Sequence, residues 1–464
     1  MTLFQHDPGS VVAPAGCGKT QTIVDAFDEY EGLPALVLTH TNAGVTALRT
    51  RFARAGVHAS KYKLCTLDGW ALRLISVYPK LAGHSNPAGQ IDYPATQDGA
   101  IAVLESGVID PVLRASYARV VVDEYQDCSE RQHKLIMALR DVLDCHVLGD
   151  PLQCIFNFNA GTHPDWDLDV MASFPLVKEL DQPHRWLNAN QGPFGQWILD
   201  CRNTLLAGGQ IDLKAAPVNV EWKELPDAGV AREAAYEAAI NALDLNAGRG
   251  LLIIGDPFPV QRRLEFARAH NGVQVIEPVD LTDLIVAAAS LGEADNVDQL
   301  VETLQFADAA MTGVLHPLAE RVNKLLAGQD VPEAGPLEAA CIRVCQGGGL
   351  RAVREVLELL SRAPGRHLYR PHLVATMIAA LSKSMARNIP LREAAIAERE
   401  AQRLKGRALP KKGIGSTLLV KGLETDHAIV LNADTMKPAH LYVAISRAST
   451  SLTVFSASAQ LPSG

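Results

Sequence analysis

The chain has 464 residues, a formal net charge of −9 and 48% hydrophobic residues, enough for two to four domains with cores of their own. It holds no apolar run of about 18 residues, and MTLFQHDPGS at its start carries no basic stretch followed by an apolar one, so neither a membrane span nor a secretory signal is expected. The acidic balance excludes a surface coated in positive charge, although 43 Lys and Arg remain for a local groove.

The first informative stretch is APAGCGKT, Ala13 to Thr20. GSVV before it reads as a strand and QTIVDAFDEY after it as a helix, the setting of a phosphate-binding loop. The loop residues Ala15, Gly16, Cys17 and Gly18 would offer backbone N–H groups to phosphate at a helix N-terminus. Lys19 would reach the β- and γ-phosphates and the Thr20 hydroxyl would ligate Mg²⁺. A glycine-rich turn that merely contains Gly-Lys-Thr is the alternative; the strand–loop–helix order argues against it.

Further along, ALVLTH, ARVVVDE and CHVLGD are apolar, β-rich runs that end in polar residues. That pattern predicts a parallel α/β sheet with its site at the carboxyl ends of the strands. GLLIIGD and HAIVLNAD repeat it and predict a second α/β unit. Between them, LTDLIVAAASL, VDQLVETLQFADAAM and LRAVREVLELLSRA have helical periodicity. In VVVDEYQDCS, Asp123 and Glu124 directly follow a strand. Asp123 would hold Mg²⁺ and Glu124 would orient an attacking water. The eight cysteines are scattered, and the close pair Cys341 and Cys345 has no second Cys or His pair nearby. A reduced, cytoplasmic protein is expected.

DEYQD, together with the loop, resembles the superfamily 1 helicases of the UvrD/Rep type. LTHTNAGVTALRTRF, CTLDGWA, LGDPLQCIFNF, DQPHRW, LLVKGLE and LYVAISRA are similar to further motifs of that family, in its order. The resemblance implies two RecA-like P-loop domains: 1–71 with 115–180, and 181–284 with 411–464. It also implies a small accessory insertion at 72–114 and a helical one at 285–410. Its short length and the CTLDGWA segment are most similar to the helicase-like subunit of the Gabija anti-phage system.

The same resemblance implies residue roles. Gln153 would sense the γ-phosphate, and Arg185 and Arg447 would reach it from the second α/β unit. His184, where the family has a tyrosine, would stack on the base. Gln5 would read adenine, and Gly422 and Glu424 would lie at the ribose. Thr41 and Asn42 would touch single-stranded DNA. Phe156 and Phe158 would stack on bases or else lie in the core, and Trp70 would line the strand channel or pack internally. Asn159 and Leu418 depart from the family's arginine and histidine. The implied activity is 3′–5′ translocation on single-stranded or tailed DNA driven by Mg·ATP. The implied partner is a separate nuclease subunit of OLD or Toprim type, since no nuclease motif is evident. The rival expectations are a DNA-end-sensing ATPase with little unwinding, a free-standing repair helicase, and a structural subunit with a vestigial site.

Overall fold

The computed structural model describes residues 2–86, 91–156, 163–245, 249–255, 259–329, 332–405 and 409–463. Its strands build mostly parallel α/β sheets flanked by helices. The chain divides into two compact units, Met1–Glu224 with Ala433–Gly464, and Leu225–Asn432. Residues 433–464, expected with the second α/β half, therefore group with the amino-terminal one.

The first sheet lies wholly in the first unit. It contains β1 (Gly9–Val12), β2 (Ala35–Thr39), β3 (Tyr62–Thr66), β4 (Arg119–Val122), β5 (Asp144–Gly149) and β6 (Leu176–Glu179), in the order β3-β2-β4-β5-β1-β6. Its pairings are all parallel. Val120 to Val122 and Ala35 to Leu38 are fully buried. Helices cover both faces of such strands, which is why they read as unbroken apolar runs rather than alternating ones. The order sets β5 between β4 and β1, so the loops that follow these three strands are neighbours.

The helices Leu67–Val77, Pro79–Ala82, Tyr93–Glu105 and Asp110–Ser116 fill the stretch between β3 and β4. They share one hydrophobic cluster with the sheet, in which Trp70, Leu74 and Val103 meet Leu36, Leu38 and Val122. The expected accessory insertion at 72–114 is thus a helical layer on the core of the first sheet.

The remaining strands are β7 (Ile211–Asp212), β8 (Val220–Glu224), β9 (Leu251–Ile254), β10 (Gln274–Val275), β11 (Lys412–Gly415), β12 (Thr425–Val430), β13 (Ala448–Ser456) and β14 (Gln460–Leu461). Within the second unit β10, β11, β9 and β12 lie side by side, all parallel. Within the first unit β13 pairs parallel with β8, and β14 antiparallel with β7. Among the described residues, seven helices run from Thr282 to Lys405 between β10 and β11. They close around Leu284, Leu304, Val356, Leu360 and Leu381.

One buried ion pair ties the exit of β10 to that helical stretch. Arg370, 4% exposed, donates from Nε and Nη2 to the two carboxylate oxygens of Glu277, both at 2.7 Å, and from Nη2 to Asp283 at 2.8 Å. The planar fork matches the carboxylate. Truncation would strand charge away from water, so Arg370→Ala should lose about 3–5 kcal/mol in urea unfolding, with Arg370→Lys recovering little of it.

His146, fully buried in β5, carries a second consequence. Burial pushes its imidazole down to about 4 from 6.5. The folded protein therefore keeps His146 neutral over a range in which the unfolded chain protonates it. This contribution is complete above pH 6.5 and is lost as pH falls towards 4. The loss amounts to roughly 3 kcal/mol at about 1.4 kcal/mol per pH unit. Unfolding curves at pH 7 and pH 4.5 should diverge less for His146→Leu than for the wild type.

Candidate nucleotide site

The loop after β1 turns twice through the left-handed region, at Gly16 (φ +74°) and Gly18 (φ +87°), and the helix Lys19–Asp25 begins directly after it. Glycine is needed at both points for φ, and at Gly16 for space as well. A Cβ there would lie 2.5 Å from Cζ3 of Trp186 and 3.0 Å from Cβ of Arg185. The loop is anchored from three sides. Ala13 N–H donates to the Gly149 carbonyl at 2.8 Å, Arg185 N–H to the Gly16 carbonyl at 3.1 Å, and Ala15 N–H to the Tyr442 hydroxyl at 2.9 Å. Cys17 is 2% exposed. Burial, reinforced by Asp150, pushes its thiol up to about 12, so only its backbone is available for binding.

Lys19 turns towards the acidic pair at the end of β4. Its ammonium contacts a Glu124 oxygen and lies 3.3 Å from Asp123 Oδ1. Asp123 is 5% exposed. Burial raises its carboxyl above the usual range, Lys19 pulls it down, and the neighbouring Glu124 pushes it up again. Burial works against the Lys19 charge, but Asp123 and Glu124 outweigh it and hold the ammonium. Glu124 itself adopts the left-handed conformation, φ 57°, uncommon for a residue with a Cβ. Such strain fits a residue whose direction matters.

The residues suit Mg·ATP. A loop that a single Cβ would fill, a helix N-terminus, a lysine, the Thr20 hydroxyl and a desolvated Asp123 carboxylate form the hard-oxygen and cationic set that a magnesium triphosphate needs. Thr20 and Asp123 would hold the ion.

Sequence reasoning missed the network around Asp150, which is fully buried. Its carboxylate accepts from Arg202 Nε at 3.0 Å, from Gln153 Nε2 at 3.0 Å and from Leu152 N–H at 3.3 Å. Its own N–H donates to Gln126 Oε1 at 3.0 Å, and Gln126 Nε2 donates to Glu124 Oε2 at 2.5 Å. Gln153, the expected γ-phosphate sensor, is thereby fixed to the same loop that fixes the candidate base.

The two arginines expected from the second α/β half lie in the same compact unit as Lys19. Arg185 donates to the Ser446 carbonyl and sits 5.3 Å from the Trp186 ring centre. Trp186, fully buried, donates from its indole N–H to the Ala448 carbonyl at 2.9 Å. Arg447 is 2% exposed and donates to the Val443 carbonyl and the Ser446 hydroxyl, both at 2.7 Å. His184 is exposed, and its Cδ2 lies 3.2 Å from where a Cβ on Gly18 would be, against the phosphate loop.

The other expected residues are placed as follows. Gln5 is exposed, and its Oε1 accepts from Thr2 N–H at 2.8 Å in a local cap. Gly422 (φ +79°) and Glu424 are exposed in the second unit, where Glu424 borders a cleft with Lys411 and Asp426. Thr41 caps the helix Asn42–Arg54 by accepting from Gly44 N–H at 3.0 Å, and Asn42 is exposed beside it. Trp70 is 6% exposed and packs in the first sheet's core, so of its two readings internal packing describes it. A ring so enclosed has no face to offer a base. Phe156 is half-buried; Phe158 and Asn159 lie outside the described residues.

Residues 1–159 match the AAA domain family AAA_19. No curated protein matches. Two similar solved structures are of arterivirus nonstructural protein 10, a helicase, one of them in complex with DNA. Their identities are 10% for the DNA complex and 9% for the other, and their TM-scores 0.31 and 0.32. Both alignments cover 96% of this chain and about three-fifths of the relative's, 60% and 59%.

Tyr442 offers a direct check on the loop. It is fully buried, and its hydroxyl accepts the Ala15 N–H. Tyr442→Phe keeps the ring but leaves that buried N–H unsatisfied, so thermal or urea unfolding should show a loss of about 1–3 kcal/mol. Affinity for a fluorescent ATP analogue should fall in parallel.

Proposed function

We propose that this protein is an ATP-dependent single-stranded DNA translocase or helicase of the UvrD-like superfamily 1, moving 3′ to 5′ and working beside a separate OLD/Toprim-type nuclease in cytoplasmic anti-phage defence. The observation that carries the ATPase reading is the contact of Lys19, which opens the helix after the loop that follows β1, with both Asp123 and Glu124 beyond the end of β4. On nucleotide binding Lys19 would turn to the β- and γ-phosphates. Asp123 and Thr20 would hold Mg²⁺, and the ion would supply positive charge against the phosphates. Glu124 takes the proton of the attacking water. Gln153, Arg185 and Arg447 meet the charge that develops on the γ-phosphoryl oxygens.

The DNA reading is supported by charge and by helix ends. From Gly32 to Gly83 the chain carries Arg49, Arg51, Arg54, Lys61, Lys63, Arg73 and Lys80 against the single carboxylate of Asp68. This is a strong local excess in a protein of net charge −9. All but Lys61 of these basic residues are exposed. At the carboxyl ends of β2 and β3, Thr41 and Thr66 cap two helices whose N-termini suit phosphate. The burial of Trp70 favours a second reading, a DNA-end-sensing ATPase with little unwinding, because it removes one stacking surface from the strand path.

Lys19→Ala should abolish ATP hydrolysis. Glu124→Gln should bind Mg·ATP and turn over at least a hundredfold more slowly. Single-stranded DNA should raise the wild-type rate, with affinity falling steeply as salt rises. Wild-type turnover by Glu124→Gln would refute the assignment of the base. Vigorous unwinding of a tailed duplex by the lone chain, with no nuclease co-purifying, would refute the partner reading and leave a free-standing repair helicase.

A further inference from the structure

Gln126, in the segment after Glu124, is 5% exposed and bonded at both ends of its amide. Its Oε1 accepts the N–H of Asp150 at 3.0 Å, and its Nε2 donates to Glu124 Oε2 at 2.5 Å. The orientation of the amide is fixed by chemistry, because a backbone N–H can only donate. Oε1 must face Asp150, and the NH₂ must face the carboxylate. The approach depends on Gly149, where a Cβ would lie 2.6 Å from Gln126 Oε1 and 2.8 Å from the Trp166 ring. No other residue at position 149 leaves room for the bridge.

Glu124 is thus held differently at its two oxygens. Oε1 meets Lys19, and Oε2 meets Gln126. Lys19 is the residue assigned to the phosphates, so its grip on Oε1 relaxes when nucleotide binds. The bond from Gln126 does not compete with nucleotide. It also runs to the Asp150 loop, which fixes Gln153.

We infer that Gln126 is the positioning residue of the catalytic base: it holds Oε2 of Glu124 and so fixes the direction in which the carboxylate meets the attacking water. The inference rests on the ATPase reading of the site. An N–H donor restrains the rotation of a carboxylate. Loss of the donor therefore frees the carboxylate to rotate. A glutamate in its place has no N–H to give and sets a like charge at hydrogen-bond distance, which turns the Glu124 carboxylate away.

The test compares Gln126→Leu and Gln126→Glu with the wild type. It measures ATP turnover, affinity for a fluorescent ATP analogue, and thermal stability. Expected are a turnover lower by about ten- to a hundredfold and nucleotide affinity within about twofold. Adding Gln126→Leu to Glu124→Gln should cost no further turnover, since both remove the same function. Turnover unchanged in folded variants would overturn the inference while leaving the ATPase reading intact. So would turnover, affinity and stability that fall together, which marks a merely structural role. An inactive wild type, with or without single-stranded DNA, would instead overturn the ATPase reading and this inference with it.

Discussion

The site depends on holding an enclosed ammonium and an enclosed carboxylate beside a second, half-buried carboxylate at the carboxyl ends of the first sheet's central strands. Asp123 and Lys19 are both largely enclosed, and Glu124 completes the cluster. Desolvating such groups costs several kcal/mol each, which their mutual attraction offsets only in good geometry. The arrangement is therefore a weak source of stability. Its cost is met by the surrounding core, where Val120 to Val122, Leu148 and Tyr125 are fully buried. A magnesium triphosphate would answer the same electrostatic demand, with a divalent partner for Asp123 and a polyanion for Lys19.

Order of strands turns this chemistry into geometry. Because β5 lies between β4 and β1, the loop bearing Asp150 and Gln153 borders both the acidic pair and the phosphate loop. Asp150 can then serve several neighbours at once, with Arg202 balancing its charge inside the protein. Burial of the pair explains why Arg202 was not legible as functional. It belongs to the helix Gly192–Leu206, far along the chain, and nothing local marks it.

What was legible follows the same division. APAGCGKT and VVVDEYQD could be read because strand, turn and chemistry are contiguous in sequence, and the backbone geometry at Gly16 and Gly18 follows from residue type. The parallel sheet was legible because strands buried on both faces are apolar throughout. Tyr442, Trp186 and Gln126 were present in the quoted motifs, yet their partners, Ala15, Ala448 and Asp150, are set by tertiary contact. An enclosed aromatic and a stacking aromatic have the same sequence signature, so Trp70 could be assigned only once its neighbours were known. Grouping Ala433–Gly464 with the first unit was equally invisible, because β13 and β8 read as any other strands.

Trp186 shows how these long-range contacts act together. Its ring fills the space beside Gly16, and its indole N–H holds the Ala448 carbonyl at the start of β13. Arg185, the residue before it, receives the Gly16 carbonyl on its N–H and reaches the Ser446 carbonyl with its side chain. A Cβ at Gly16 would clash with Trp186, so the ring packs directly against the loop that would hold the phosphates. Both neighbours of Arg447, Ser446 and Ala448, are bonded to this pair. The segment bearing Arg447 is therefore mechanically joined to the loop that would hold the phosphates, through two adjacent side chains rather than through the nucleotide.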